Sequence, residues 1–276
     1  MSAADVARGL RELDLSGAVV CVHSSMRSFS PRLERGPADV IDAFASLDIT
    51  LVAPSFTYEF ACRPPRGLRP PQNASDDAYL DALPEPAPGD PQFSRDSTAS
   101  SPELGALPAA VAATPGRARG DHPLMSFSAL GPRAEWVVAG QRPDAVFDPL
   151  RRVAASGGWV LLMGVAVGSL TLLHAAEEDA GRNPFIRWAL IDGAPTMVEF
   201  GGCGGGLKNL APILDPLARR TTVRGSVWHA LPAAEALRTA SQAIRNDSRV
   251  TRCDAPGCIR CEDAIAGGPP LRVRPA

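Results

Sequence analysis

A short apolar run rich in β-branched residues, Ala18-Val-Val-Cys-Val22, leads into polar His23-Ser-Ser25, then a helical pattern opened by Pro37, then a second apolar run, Thr50-Leu-Val-Ala53. Continuous apolar runs of this length suit strands covered on both faces. Pro37 suits the first turn of a helix, with Val40, Ile41 and Phe44 supplying its apolar side. Strand, loop, helix, strand is the signature of a parallel βαβ unit, and it leaves few folds open. A helical stretch from Ala3 to Leu13 precedes the unit, and Gly158-Trp-Val-Leu-Leu-Met-Gly164 reads as another buried strand. The expected class is α/β, a single domain over 1–276 with a largely parallel or mixed central sheet flanked by helices.

Proline disturbs that regularity. The chain carries 27 Pro and 25 Gly, and proline at about 10% is roughly twice the usual share. Many of the prolines fall within 63–92, where no periodic pattern survives and the acids Asp76, Asp77, Asp81, Glu85 and Asp90 accumulate. So long an irregular stretch is either a loose excursion or a functional loop. Its carboxylates suggest a flap that attracts a cationic ligand. Beyond it, Ser101 and Pro102 read as the cap and first position of a helix over Ser101–Pro108, and Ser169 as the cap of a helix over Thr171–Ala180. Gly201–Gly206 reads as a loop, Pro232–Ile244 as a helix, and 250–276 as a cysteine-rich tail.

Charge and hydropathy exclude several function classes. With 28 basic against 30 acidic residues the net charge is −2, and no basic block provides a nucleic-acid footprint. The longest apolar run, Trp159 to Val167, is far shorter than the ~20 residues that span a bilayer. Asp5 and Arg8 interrupt any apolar leader. The reading is a cytoplasmic protein without membrane or nucleic-acid partners.

The chemistry-bearing residues begin with His174. It stands early in a helix after a buried strand, where ligands of parallel sheets gather. Glu177 and Glu178 follow at helical spacings that share its face. A carboxylate beside an imidazole fixes its tautomer and raises its basicity, as a general base requires. Thr171, one turn earlier, can present a hydroxyl on the same side. His23-Ser24-Ser25 ends the first strand, where amides and hydroxyls can cradle a pyrophosphate. Asp121-His122-Pro123 adds a third histidine at a loop, out of only 4 in the chain. Gly-x-Ser-x-Gly and Walker motifs are absent, as is a Rossmann fingerprint in its strand-to-helix context.

Set in order, several stretches resemble the aminoglycoside 3-N-acetyltransferase family of antibiotic N-acetyltransferases. They are Val22-His-Ser-Ser-Met-Arg-Ser28, Leu51-Val-Ala-Pro-Ser-Phe-Thr57, Glu103-Leu-Gly-Ala-Leu-Pro108, Arg119-Gly-Asp-His-Pro-Leu-Met-Ser-Phe-Ser-Ala-Leu-Gly131, Asp148-Pro-Leu150, Leu161-Leu-Met-Gly164, Thr171-Leu-Leu-His-Ala-Ala-Glu177 and Gly201-Gly-Cys203. The resemblance implies acetyl transfer from acetyl-CoA to a small-molecule amine, with a cationic amino sugar as the leading acceptor and another amine as the alternative. It implies that His174 takes the proton, Glu177 orients it, and Thr171 contacts the thioester. It places His23, Ser24, Ser25 and Arg27 on the cofactor, together with Ser126 and Phe127, and Tyr58, Glu59 and His122 on the acceptor. Ala53-Pro-Ser-Phe-Thr57 and Gly202-Cys-Gly-Gly-Gly-Leu207 depart from the family's more frequent wording on the acceptor side. A homodimer is left open.

Cys253, Cys258 and Cys261 lie beyond the resemblance, at spacings that suit one structural Zn²⁺ in want of a fourth ligand. Cys62 is the leading choice for that ligand, since it would tie the proline-rich loop to the tail; Cys203 and His229 are others. Two further readings compete with the acetyltransferase. One is a zinc-dependent amide hydrolase on His23, His122 and His174, and the other is a non-catalytic binder of CoA or a cationic antibiotic.

Overall fold

The computed structural model describes residues 2–65, 67–74, 77–87 and 89–270, so Asp76 and the last six residues of the tail lie outside the described residues. In chain order the elements are α1 (Ala3–Glu12), β1 (Val19–Ser24), α2 (Pro37–Ala45), β2 (Thr50–Pro54), α3 (Asp77–Ala82), α4 (Ala106–Ala113), β3 (Ala118–Arg119), β4 (Phe127–Leu130), α5 (Ala134–Val138) and α6 (Asp148–Ala155). Then follow β5 (Trp159–Met163), α7 (Leu172–Asp179), β6 (Phe185–Ile191), β7 (Ala194–Phe200), α8 (Ala211–Leu214), β8 (Arg219–Val223), β9 (Ser226–Pro232), α9 (Ala233–Asn246) and α10 (Ile259–Ile265).

The main sheet has seven strands in the order β3-β4-β2-β1-β5-β9-β8. Only its centre is parallel, where β1 pairs with β2 and β5; the flanking pairs are antiparallel. The mixed α/β class expected from the sequence is therefore present. Successive strand residues point to opposite faces, and β1 shows the consequence. Val20 and Val22 join Val6, Leu10, Val40, Phe44 and Val111 in one layer, while Val19 and Cys21 join Leu150, Val153, Leu172, Ala176 and Ala236 in the other. Helices cover both faces, so the central strands are apolar throughout. None of the helices is long and apolar enough to cross a membrane, among the described residues.

Four local expectations change. Ser101–Pro108 is not one helix: a single 3-10 turn, Pro102–Leu104, ends at Gly105, whose φ of 91° breaks it, and α4 starts at Ala106. Ser169 lies in a 3-10 turn, and Thr171 occupies the cap position of α7. The glycine run continues into a 3-10 helix, Gly204–Leu210. The described residues of the irregular segment 63–92 include α3, and Asn73 and Ala74 dock it on the rest of the fold. The Asn73 side chain donates to Ile186 O at 2.9 Å and accepts from Ile186 N–H at 2.7 Å, and the Ala74 N–H donates to Asp263 at 2.8 Å. Its acids serve local arginines, Asp81 with Arg69 at 2.5 Å and Glu85 with Arg63 at 3.5 Å.

Candidate active site

β5 ends at Met163, and after a short turn the chain enters α7, which carries His174 and Glu177 at adjacent turns. Their spacing brings His174 Nδ1 to 2.8 Å from Glu177 Oε2. The second carboxylate oxygen of Glu177 accepts from Arg182 Nη1 at 2.5 Å. Arg182 is in turn held by Thr251 Oγ1 at 2.7 Å and by the Ser248 carbonyl at 2.5 Å. Burial by itself would raise the Glu177 carboxyl, but the hydrogen bonds and positive charge of His174 and Arg182 outweigh it and hold the group below the usual range. An ionised carboxylate requires a proton on Nδ1, which leaves the Nε2 lone pair free to accept another. Among the described residues Nε2 has no hydrogen-bond partner.

A narrow cleft of about 20 Å³, open in part to solvent, runs past this imidazole. Phe147, Phe185, Phe200 and Gly202 line it beside His174 and Glu177. Phe147 stacks on the imidazole with ring centroids 6.1 Å apart and planes 19° from parallel. Gly201 and Gly202 pass over the pair. A Cβ on Gly201 would sit 3.3 Å from His174 Cδ2, and one on Gly202 would sit 3.3 Å from Glu177 Oε2, so a side chain at either position crowds the dyad.

The other expected residues fall into two groups. Ser24, Ser25 and Arg27 stand at the carboxyl end of β1, beside the entry to α7, with Arg27 exposed and the Ser24 hydroxyl buried without a partner. Thr171 is nearly buried at the cap of α7. Tyr58 packs on the cleft residue Phe200, centroids 5.6 Å apart, and burial raises its hydroxyl to about 12, so it stays a donor. Glu59 is exposed on the same 3-10 turn.

The second group is set apart by burial. His23 lies under α7, where Nε2 accepts from the Thr171 N–H at 3.4 Å and burial lowers its imidazole to about 4. It braces the helix as a neutral ring and offers no charge to a pyrophosphate. His122 is fully buried: Nδ1 accepts from the Leu124 and Met125 N–H groups at 3.2 and 3.0 Å, and Nε2 donates to the Glu199 carbonyl at 3.0 Å. It is a buried histidine whose two ring nitrogens both meet backbone groups. Ser126 is buried between Arg119 and the Ser55 carbonyl, and Phe127 is buried in β4, so both side chains are enclosed by protein groups. The described residues of 63–92 do not line the cleft.

The cysteines separate as well. Cys62 packs with Ile186 and Trp188, and burial raises its thiol to about 11. The residue that meets Cys253, Cys258 and Cys261 is Cys203, and the four Sγ atoms lie within 4.8 Å of one another. Burial raises the thiols of Cys203 and Cys261. At Cys258 burial is overcome by hydrogen bonds from the Cys261 N–H and the neighbouring thiols, and the group falls to about 7.

Sequence reasoning missed Arg182, Phe147 and Thr251. Arg182 directly follows the helix-ending Gly181, and a basic residue one turn beyond Glu177 was the available signal.

Comparison with known proteins shows the family and the fold. The family model of aminoglycoside 3-N-acetyltransferases matches residues 21–245. Aminoglycoside N(3)-acetyltransferase VIII of Streptomyces fradiae is 34% identical over 176 residues, which are 60% of this chain and 56% of the relative. The chain spans between 32% and 56% of the length of the curated relatives it matches. The crystal structure of the aminoglycoside acetyltransferase AAC(3)-IVa apoenzyme superposes with a TM-score of 0.73 at 25% identity, covering 96% of this chain and 97% of that one. AAC-IIIb, solved as a binary complex with CoASH, shares the fold with a TM-score of 0.69 at 22% identity over 89% of this chain and 97% of that chain.

Proposed function

The chain belongs to the aminoglycoside 3-N-acetyltransferase family, and from that premise we propose that it transfers an acetyl group from acetyl-CoA to an amine of a cationic amino sugar. The observation that carries the reading is the relay His174–Glu177–Arg182, with one imidazole nitrogen free at a cleft. An ammonium group is not nucleophilic, so the acceptor must lose a proton beside the thioester. The ammonium releases one proton to solvent. As the neutral amine nitrogen bonds to the thioester carbon, Nε2 of His174 takes the second proton, the carbon–sulfur bond breaks, and the departing sulfur receives that second proton from the imidazolium, leaving a neutral amide. Glu177 stabilises the imidazolium and fixes its tautomer; Arg182 keeps Glu177 ionised. General base catalysis of this kind contributes ~10²–10⁴-fold, and holding amine and thioester together adds to it.

Acetyl-CoA is the co-substrate in this reading. Ser24, Ser25 and Arg27 would receive its phosphate-bearing arm, supported by the unpartnered Ser24 hydroxyl and the exposed guanidinium at the end of β1. Thr171, at the cap of α7 one turn before His174, would face the thioester. The aromatic walls and Tyr58 supply an acceptor side on which a sugar ring can stack, and Glu59 supplies a carboxylate for its ammonium groups. The hydrolase alternative lacks support, because both ring nitrogens of His122 and Nε2 of His23 are engaged by backbone groups. A structural zinc finds its support in Cys203, Cys253, Cys258 and Cys261.

Thiol release from acetyl-CoA, measured over a panel of aminoglycosides and simple amines, tests the function. The expected result is acceptor-dependent release with the acceptor gaining one acetyl mass. No release with any amine would refute it.

A further inference from the structure

The four-cysteine group joins two parts of the chain that both touch the catalytic pair. Cys203 follows Gly201-Gly202, the backbone passing over His174 and Glu177. The other three thiols come from the tail, with Cys258 and Cys261 at the start of α10. Two residues before Cys253 stands Thr251, which holds Arg182. The two segments are already laced together: the Asn209 side chain donates to the carbonyls of Val250 and Arg252, both at 3.0 Å, and Gly206 lies against the Thr251 backbone so closely that a Cβ there would fall 1.9 Å from its carbonyl oxygen.

The thiols themselves are arranged as a ligand set. None is in a disulfide, and Cys258 Sγ lies 4.0 Å from Cys203 Sγ. Tetrahedral Zn²⁺ with bonds of about 2.3 Å places its sulfurs about 3.8 Å apart, so a contraction of less than about 1 Å closes the group on an ion. Backbone N–H groups of Gly205, Cys261 and Cys253 hydrogen-bond the sulfurs of Cys203, Cys258 and Cys261, the last at 3.3 Å. Such donors stabilise thiolates and fix ligand rotamers. Between Asp247 and Cys258 most residues are exposed, so little apolar burial holds this stretch in place.

We infer that Cys203, Cys253, Cys258 and Cys261 bind one zinc ion as a closed four-thiolate site, and that this ion positions the catalytic pair by clamping Gly201-Gly202 above it and the Thr251 anchor of Arg182 beside it. The four thiols bind the ion as thiolates, and their protons pass to solvent. The positioning half rests on the acetyltransferase reading; the metal half does not.

Metal analysis of the full-length protein, purified without added zinc, is the first arm. It should give about one zinc per chain, released together with four reactive thiols by a mercurial reagent. Cys203→Ser should retain less than about a tenth of it, whereas Cys62→Ala should retain all of it. The second arm strips zinc from the native protein with a chelator and follows the His174 imidazole by NMR titration, which needs no acceptor. Its titration should move, and kcat should fall about 10- to 100-fold with KM for acetyl-CoA unchanged. Less than about a tenth of an equivalent of zinc in fresh protein, stoichiometric iron, or disulfides among these four cysteines would overturn the site. An unmoved His174 titration in stripped, folded protein would overturn the positioning role. Absence of acetyl transfer with the zinc and NMR results as expected would instead count against the functional reading.

Discussion

The surroundings of His174 and His122 each fix an imidazole by hydrogen bonds, and the two rings end with opposite chemistry. At His174 one nitrogen meets a carboxylate kept ionised by Arg182, and the other is left free beside a cleft. At His122 both nitrogens meet backbone groups and the ring is sealed from solvent. Burial lowers that imidazole to about 3, so it stays neutral and exchanges no proton at ordinary pH. In the acetyltransferase reading an asymmetry suits His174 to act as a base: one charged partner, one nitrogen facing the cleft. A symmetric set of neutral partners makes a structural pin.

Substitution should separate the two most sharply. His174→Ala should lower kcat ~10²–10⁴-fold while CoA binding by calorimetry is kept and unfolding free energy changes by no more than about 1 kcal/mol. His122→Ala should do the reverse. Its loss leaves a cavity and three unpaired backbone groups, at a cost of about 3 kcal/mol in denaturant unfolding, with turnover per folded molecule nearly native. If both variants lost activity without losing stability, the distinction would fail.

Glu177→Gln sharpens the role of charge within the His174 region. A neutral amide no longer favours the imidazolium, and Arg182 loses its counter-charge while still buried. Turnover should drop ~10- to 10²-fold, with a stability loss of about 3 kcal/mol. Loss of stability without loss of kcat, read side by side, would reduce Glu177 to a structural partner.

Acid should act first on the buried rings. The folded imidazoles of His23 and His122 sit below their ordinary value near 6.5, at about 4 and about 3. Between those limits the unfolded chain binds more protons than the folded one, so stability is whole above about pH 6.5 and declines as pH falls toward 4. His23 alone accounts for about 3 kcal/mol over that window. Glu177, held below the usual carboxylate range, keeps its contribution to lower pH still. Denaturation midpoints that stay level from about pH 7 to about pH 4.5 would contradict this.

The central sheet was legible because β1, β2 and β5 are continuous apolar runs, covered on both faces. The hairpins β6–β7 and β8–β9 were not, since β6 carries a buried arginine, Arg187, and β8 opens on Arg219 and Arg220. Their turns were nonetheless written in the chain: Asp192-Gly193 and Arg224-Gly225 take the left-handed conformation that two-residue hairpins favour. Within the site, His174 and Glu177 could be read because helix geometry alone brings them together. Thr251 and Phe147 reach the same place through tertiary packing, for which sequence spacing has no rule. Cys62 and His122 misled for the same reason, since neighbours in sequence do not report burial.

The central claim is that His174 acts as a base through a nitrogen open to the cleft. Turnover of His174→Ala in the presence of added imidazole tests it most directly. The account predicts a saturable return of acetyl transfer, with CoA binding unchanged throughout. A variant that runs at the native rate without imidazole, or one that binds CoA normally yet gains nothing from it, would contradict that claim.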